Sequence, residues 1–259
     1  MADRFDVAEA LAGGCSDRTG PWAFVSAFAA SWSAPLSRTD GFASTDLQRA
    51  EARLDLRLPV ALREAYALFG RRRDLVAQHN PLLEPDELLL DPSGDLLVFR
   101  SENQGCAGWG VPLTDLSRAD PPVVLFSDRL PAGRRPFLDR LSLACVETIL
   151  SEATAARWSR QRACQATPDV VTSLEKQFTS IGLPPYPAWF EPTGLPVRWF
   201  SAPGLLLCLE PGPQGTSLVA TGRTEADLQR ALEAIPGAWP AATPVVTRPA
   251  AEGAFVLPF

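Results

Sequence analysis

Six short apolar runs fall into two groups of three, and within each group only turn-like segments separate them. The first group is "LLVFR", "WGVPL" and "PVVLF", between residues 96 and 126. The second is "LPVRWF", "GLLLCLEPG" and "TSLVATG", between residues 195 and 222. In the second group the strands are too close for parallel pairing, which needs a crossover of about a dozen residues or more. Residues 195–222 therefore read as a three-stranded meander. Helical patterns lie before, between and after the groups, so the order is helices, strands, helix, strands, helix. Regular alternation is missing, which predicts an α+β fold rather than a doubly wound parallel sheet.

The helical segments carry their own signals. In "WAFVSAFAASW", Trp22, Val25, Phe28 (or Ala29) and Trp32 recur at helical spacing, with Pro21 suited to a first turn. A second helix is expected from Thr45, whose spacing to Gln48 is that of a capping box, with Leu47, Ala50 and Leu54 on one stripe. A third runs over 59–69 with Leu62, Ala65 and Phe69 inward and Gly70 as C-cap, followed by three arginines at 71–73 that suit a negative helix end. The stretch 135–156 reads as helix through Phe137, Leu141, Ala144, Cys145 and Thr148. Thr224 and Asp227 open a last helix with Leu228, Ala231 (or Leu232) and Ile235 inward. One or two strands are expected in the Pro- and Ala-rich tail after 238.

With 46% apolar and 21% charged residues the chain has the composition of a folded protein. No segment approaches about 18 uninterrupted apolar residues, and the acidic N-terminus lacks a signal pattern, so a cytoplasmic protein without membrane attachment is expected. The five cysteines, 15, 106, 145, 164 and 208, are scattered without a CxxC, as expected of reduced and mostly buried thiols. The net charge of −6 lies wholly in residues 1–130, and the segment 84–128 alone holds nine acids against two arginines. Such a surface disfavours nucleic acid and favours a basic protein partner, while also matching an ordinary solvated acidic face.

Catalytic signatures are sparse. His79 is the only histidine, there is no HExxH, GxSxG, GxGxxG or P-loop, and Glu84, Asp86 and Glu87 lack EF-hand spacing. No metal or cofactor is expected, and His79 reads as a surface or capping residue. The segment "SENQGCAGWG" at 101–110 is the most distinctive. Its glycines let the chain turn between two strands, and Asn103 and Gln104 can cap that turn. Trp109 either anchors a partner or packs on the sheet. Glu102 must find a partner, because a buried carboxylate without one is costly.

Two stretches carry a resemblance. "LQRAEARLDLRLPVALREAYALFG", through Glu51, Leu54, Leu58, Pro59, Leu62, Tyr66 and Gly70, resembles the opening of the SMI1/KNR4 (SUKH) family. "VFRSENQG…WGV", through Phe99, Glu102, Asn103, Gln104, Trp109 and Gly110, is similar to its strand–turn–strand, and "DPPV" at 120–123 to the lead-in of the next strand. "RRRDLVAQH" after Gly70 departs from the small turn and acidic residues common there. The resemblance covers about residues 20–155. It implies an α+β domain over 1–158 with helices flanking a mixed or antiparallel sheet, and 159–259 as a strand-rich extension or lobe packed on it. It also implies a non-enzymatic protein-binding module, an immunity protein that neutralises a bacterial toxin domain. A regulatory or scaffolding protein without a toxin is the alternative, and a carboxylate-based hydrolase a more distant one. The expected partner is a basic protein domain, with no nucleic acid and no membrane, and the chain itself a monomer or weak homo-oligomer. The candidate partner-binding residues are Glu84, Asp86, Glu87, Glu102, Asn103, Gln104 and Trp109. On this reading, neutralising Glu84, Asp86, Glu87 and Glu102 together weakens partner binding at low salt.

Overall fold

The computed structural model describes residues 5–12, 17–128, 130, 132–156, 158–188, 195–212, 214–237 and 239–240. Cys15 and the expected strands of the tail after 240 lie outside them. Helices come first: α1 (Val7–Ala12), α2 (Thr19–Trp32), α3 (Ser44–Leu54), α4 (Val60–Phe69) and the single turn α5 (Arg73–Val76). A five-stranded sheet follows, with β1 (Leu89–Leu90), β2 (Leu96–Ser101), β3 (Ala107–Pro112), β4 (Val123–Ser127) and β5 (Arg134–Leu138) paired antiparallel in sequence order. Then come α6 (Leu141–Ala155), β6 (Gln161–Gln165), α7 (Pro168–Gln177), β7 (Thr179–Ser180) and β8 (Tyr186–Pro187). The chain continues through β9 (Pro196–Ala202), β10 (Leu205–Gly212), β11 (Gly215–Gly222) and α8 (Glu225–Ala234). The second sheet has the order β6-β11-β10-β9-β7, with β8 paired to β9, and all its pairs are antiparallel. The architecture is α+β, with helices flanking antiparallel sheets.

Helix α6 organises the packing. Its sequence, "LSLACVETILSEATA", is apolar nearly all round, and thirteen of its fifteen residues are buried, as an enclosed helix requires. Helices α2, α4 and α5 pack on it, and β5 leads into it. The second sheet uses the period-2 alternation of strands to serve two cores. Val197, Trp199, Leu206 and Cys208 join the core of the first sheet and α6. Phe200, Leu205, Leu207, Leu209, Leu218 and Ala220 face the other way, onto Val170 and Leu174 of α7 and Leu228 and Ala231 of α8. The boundary expected at 158 is bridged from the N-terminus, where Ala8 N donates to Ser201 Oγ at 3.0 Å and Ser201 Oγ donates to Asp6 Oδ1 at 3.1 Å.

Several local expectations change. Residues 134–138 form a strand paired with β4 instead of the start of a helix. Pro136 sits inside that pairing, and the residue before a proline avoids the helical region. Helix α6 begins only at Leu141, where Asp120 Oδ1 accepts from Ser142 N at 2.8 Å. The cap of α3 lies two residues earlier than Thr45 and Gln48 suggest, because Asp46 Oδ2 accepts from Ala43 N at 3.1 Å. Gly70 is the C-cap of α4, as expected, but its backbone is right-handed (φ −58°) and makes no left-handed closing turn. It is small because Phe42 and Tyr66 crowd it, at 2.8 and 2.9 Å from where a Cβ would stand. The Thr224–Asp227 capping box is present, with Asp227 N donating to Thr224 Oγ1 at 3.1 Å and Thr224 N to Asp227 Oδ2 at 3.0 Å.

The loop before α3 lies directly on α4. Phe42 N donates to Tyr66 O and Arg71 N to Asp40 O, each at 2.9 Å. A Cβ on Gly41 would stand 1.8 Å from Ala67 O, whereas one on Gly94, at φ +73°, would meet nothing within 4 Å. Gly41→Ala is therefore expected to destabilise by about 3 kcal/mol through backbone displacement. Gly94→Ala is expected to lose only about 1 kcal/mol from its left-handed backbone. Urea unfolding of the two variants checks the order.

Candidate functional site

Strand β2 ends on a β-bulge between Val98 and Arg100, after which Arg100 pairs with Trp109 of β3. The guanidinium lies over the Trp109 ring, 4.4 Å from its centroid. Arg100 is 2% exposed, and every nitrogen is used. Nη1 donates to Glu147 Oε2 at 2.5 Å, Nη2 to Ser151 Oγ at 2.8 Å, and Nε to Asn80 O at 3.0 Å. Glu152 Oε1 adds an ion pair at 3.5 Å. The same Glu152 carboxylate accepts from three successive backbone amides, Gln78, His79 and Asn80, at 2.5, 2.6 and 2.9 Å. Glu147, Ser151 and Glu152 lie on one face of α6, four and five residues apart.

The network continues into the second sheet. Glu147 Oε1 accepts from Tyr186 OH at 3.0 Å, and Tyr186 OH accepts from Trp199 Nε1 at 2.8 Å. Burial, reinforced by the Glu147 charge, pushes the Tyr186 phenol well above its ordinary pKa, so it stays protonated and donates.

A cavity of about 350 Å³ opens beside this network, between α6 and β2–β3 on one side and the inner face of the second sheet on the other. Its walls include Trp109, Phe137, Tyr186 and Trp199, its far side Cys208, Glu210 and Val219, and the exposed His79 borders it. The volume lies within the range of small-ligand pockets. Of the acidic and arginine side chains lining it, Arg100 and Glu147 are held in the network just described. Glu210 makes no hydrogen bond or ion pair among the described residues. Burial, and then the nearby Glu147 charge, raise the Glu210 pKa. Burial, and then Glu210 and Glu147, push the Cys208 thiol far up, so it is not a thiolate at neutral pH. Among the described residues no three His, Cys, Asp or Glu side chains converge as a metal site would need. No described helix is long and apolar enough to cross a membrane.

The acidic segment is arranged differently from the expected steering surface. Arg134 donates to Asp91 at 2.6 Å and pairs with Asp95 at 3.5 Å. Asp115 pairs with Arg118, and Asp120 caps α6. Glu102 is 3% exposed, and its Oε2 accepts from Gln104 N and Cys106 N at 2.8 and 3.2 Å, so its carboxylate stabilises its own turn. Glu84, Asp86 and Glu87 remain at the surface, where Glu87 accepts from Glu84 N. Glu84 lies 3.7 Å from Arg73, and a shallow groove there also holds Arg49, Arg53 and Arg71. Trp109 is 4% exposed and packs inside the fold, on the wall of the cavity instead of on the outer surface.

Asn103 contacts two residues that line the cavity, His79 and Asn80. Its amide N accepts no group but donates to Asn80 Oδ1 at 3.1 Å, and its Nδ2 lies 3.0 Å from His79 Nδ1. Gln104 is exposed at the tip of the same turn. Thus "SENQGCAGWG" supplies one wall residue, Trp109, and one residue bonded to the lining, Asn103, while Glu84, Asp86 and Glu87 lie apart. Sequence reasoning passed over Arg100, Glu147, Tyr186, Trp199 and Glu210. Two signals were available: a lone arginine in "LLVFRS" and a lone glutamate in "LSLACVETIL", opposite charges in segments otherwise fit only for burial.

Comparison with known protein families, with curated proteins and with solved structures finds no match to this chain.

Two outcomes are expected at this site. Arg100→Met strands Glu147 and Glu152 without their cation and is expected to destabilise by about 3–5 kcal/mol in urea unfolding. Glu210→Gln acts in the opposite direction. A carboxyl whose pKa rises on folding holds its proton more tightly in the folded state, so its ionisation opposes folding as pH rises. The variant is expected to match the parent below about pH 4 and to become the more stable of the two as pH climbs through the raised range of Glu210. Melting temperatures across pH check it.

Proposed function

We propose that this protein is a non-enzymatic protein-binding module that engages its partner at the mouth of the cleft between α6 and the second sheet. The observation that carries this reading is the state of the charged groups there. Arg100, Glu147 and Glu152 are locked into a network that positions backbone, which leaves Glu210 as the one carboxyl lining the cleft, among the described residues, that stands outside it. Cys208 is held neutral, and His79 sits at the rim beside Asn103. A general base or nucleophile needs a reacting partner within reach, and the networked groups face structural ones.

The resemblance of 47–70 and 99–110 to SMI1/KNR4 proteins supports a role as an immunity protein, with a toxin domain as the partner. Regulation or scaffolding without a toxin is the second form of the same reading. The interface differs from the one charge counting suggests. Glu102 and Trp109 are buried inside the fold, so His79 at the cleft, with Asn103 and Gln104 on the turn beside it, takes the place of the acidic face.

Growth of cells producing a toxin domain encoded beside this chain separates the two forms, since only an immunity protein restores it. Val219→Phe, which fills the cleft from β11, is expected to abolish protection and capture of that toxin while the protein still melts cooperatively. Neutralising Glu84, Asp86 and Glu87 together is expected to change capture less than about threefold, as screened rim charges do. Retained capture by the Val219→Phe protein would remove the cleft from the interface.

A further inference from the structure

We infer that the cleft is a binding site for an organic cation, an amine, amidine or guanidinium on a flat or short apolar body, held by Glu210. The inference rests on the reading of the cleft as a recognition site and names the chemistry it recognises.

Three observations converge on it. The first is the charge balance. Arg100 stands against Glu147 and Glu152 in the network, and Glu210 is a further carboxyl on the wall, so once Glu210 ionises the lining holds two carboxylates, Glu147 and Glu210, against one arginine. Glu210 alone among these lacks a partner, and β10 holds it on the sheet face that lines the cavity, two residues from Cys208. The second is the wall. Phe137 and Tyr186 pack with ring centroids 4.7 Å apart, and Trp199 and Val197 extend the same apolar surface. Aromatic faces beside a carboxylate suit a cation and its hydrocarbon body. The third is an orphan donor. Trp109 lines the cavity at 4% exposure, and its indole N–H has no acceptor. A buried donor left unsatisfied is unfavourable, and a carbonyl or hydroxyl on the ligand removes the penalty. An anionic ligand would meet the Glu147 carboxylate with like charge, and a neutral one would not compensate an ionised Glu210.

Ligand binding is coupled to a proton. In the empty cleft Glu210 is driven toward its neutral form by burial and by Glu147. The other titratable or charged groups around it are Arg100 on β2, Tyr186 on β8, Cys208 on β10 and His79 at the rim. Tyr186 and Cys208 both stay protonated. A cation beside Glu210 favours the carboxylate, so affinity rises with pH through the range in which Glu210 ionises. The cation can be a free small molecule or a lysine or arginine side chain of a protein partner. Both present the same group to Glu210.

Titration calorimetry of the full chain with benzamidine, benzamide and benzoate, which share a ring and differ in charge, tests the inference. Benzamidine is expected to bind, more tightly at pH 8 than at pH 5, and to shift the Trp109 indole resonance. Glu210→Gln is expected to weaken it at least about tenfold, the loss of one charge-assisted hydrogen bond. The stability of that variant is measured in parallel, so that unfolding is not mistaken for lost affinity. Equal binding of benzamide or benzoate, an unchanged affinity in Glu210→Gln, or no benzamidine binding overturns the inference.

The two failures are distinguishable. Benzamidine that binds and displaces a captured toxin supports both statements and makes a partner side chain the natural source. Benzamidine that binds without displacing it supports a small-molecule site and overturns the cleft as partner interface. Capture abolished by Val219→Phe in a protein that ignores benzamidine leaves the partner reading standing and removes the cation.

Discussion

The guanidinium of Arg100 is the point at which four separate pieces of chain meet. It is carried by β2, stacked on Trp109 of β3, bound to Glu147 and Ser151 of α6, and bonded to the carbonyl of Asn80. Burying one arginine and two glutamates is unfavourable in itself, and mutual attraction with additional hydrogen bonds offsets that only when geometry is good. Here each charged group has several partners. The contribution is best understood as orientation. Apolar side chains around α6 would tolerate a small rotation or slide, whereas a guanidinium with five directed donors tolerates one arrangement. Through Tyr186 and Trp199 the same constraint reaches the second sheet.

That constraint explains why a cavity survives in an otherwise close-packed interior. The two sheets cannot approach further without compressing the chain Arg100–Glu147–Tyr186–Trp199, whose members are already at hydrogen-bond distance. The second sheet meanwhile has a complete core of its own on the other face, where α7 and α8 cover Leu205, Leu207, Leu209, Leu218 and Ala220. Its inner face is left to form part of a wall rather than a full packing layer. Glu210 is tolerable there because the wall is open to water at one side.

Much of the fold was legible in periodicity. The strands at 96–101, 107–112, 123–127 and 196–222, and the helices near 19–32, 44–54, 60–69 and 225–234, follow from apolar spacing and end signals that act locally. Where local chemistry is ambiguous, longer-range contacts decided. Residues 134–138 are a strand because β4 offers an open edge, although their apolar residues run on into a helix. Residues 161–165 are a strand because β11 lies beside them, although "QRACQ" has little strand character. The candidate site was less legible for the same reason. Its members come from β2, α6, β8, β9 and β10, and no sequence window contains two of the elements that face each other. The acidic segment misled because a count of charges is blind to what each one bonds. Asp91, Glu102 and Asp120 spend their charge on neighbouring arginines and amides inside the same molecule.

The bond from Ala8 N to Ser201 Oγ joins residues 193 positions apart. Helix α1 packs on α2 as well as on β9, and the Phe5 ring that precedes it lies against Phe24 and Phe28, so the Ser201 contact ties these first helices to the second sheet. Contacts of such separation form late and slow folding. The seam between α1 and β9 is therefore expected to close after each core has formed around its own nearer contacts.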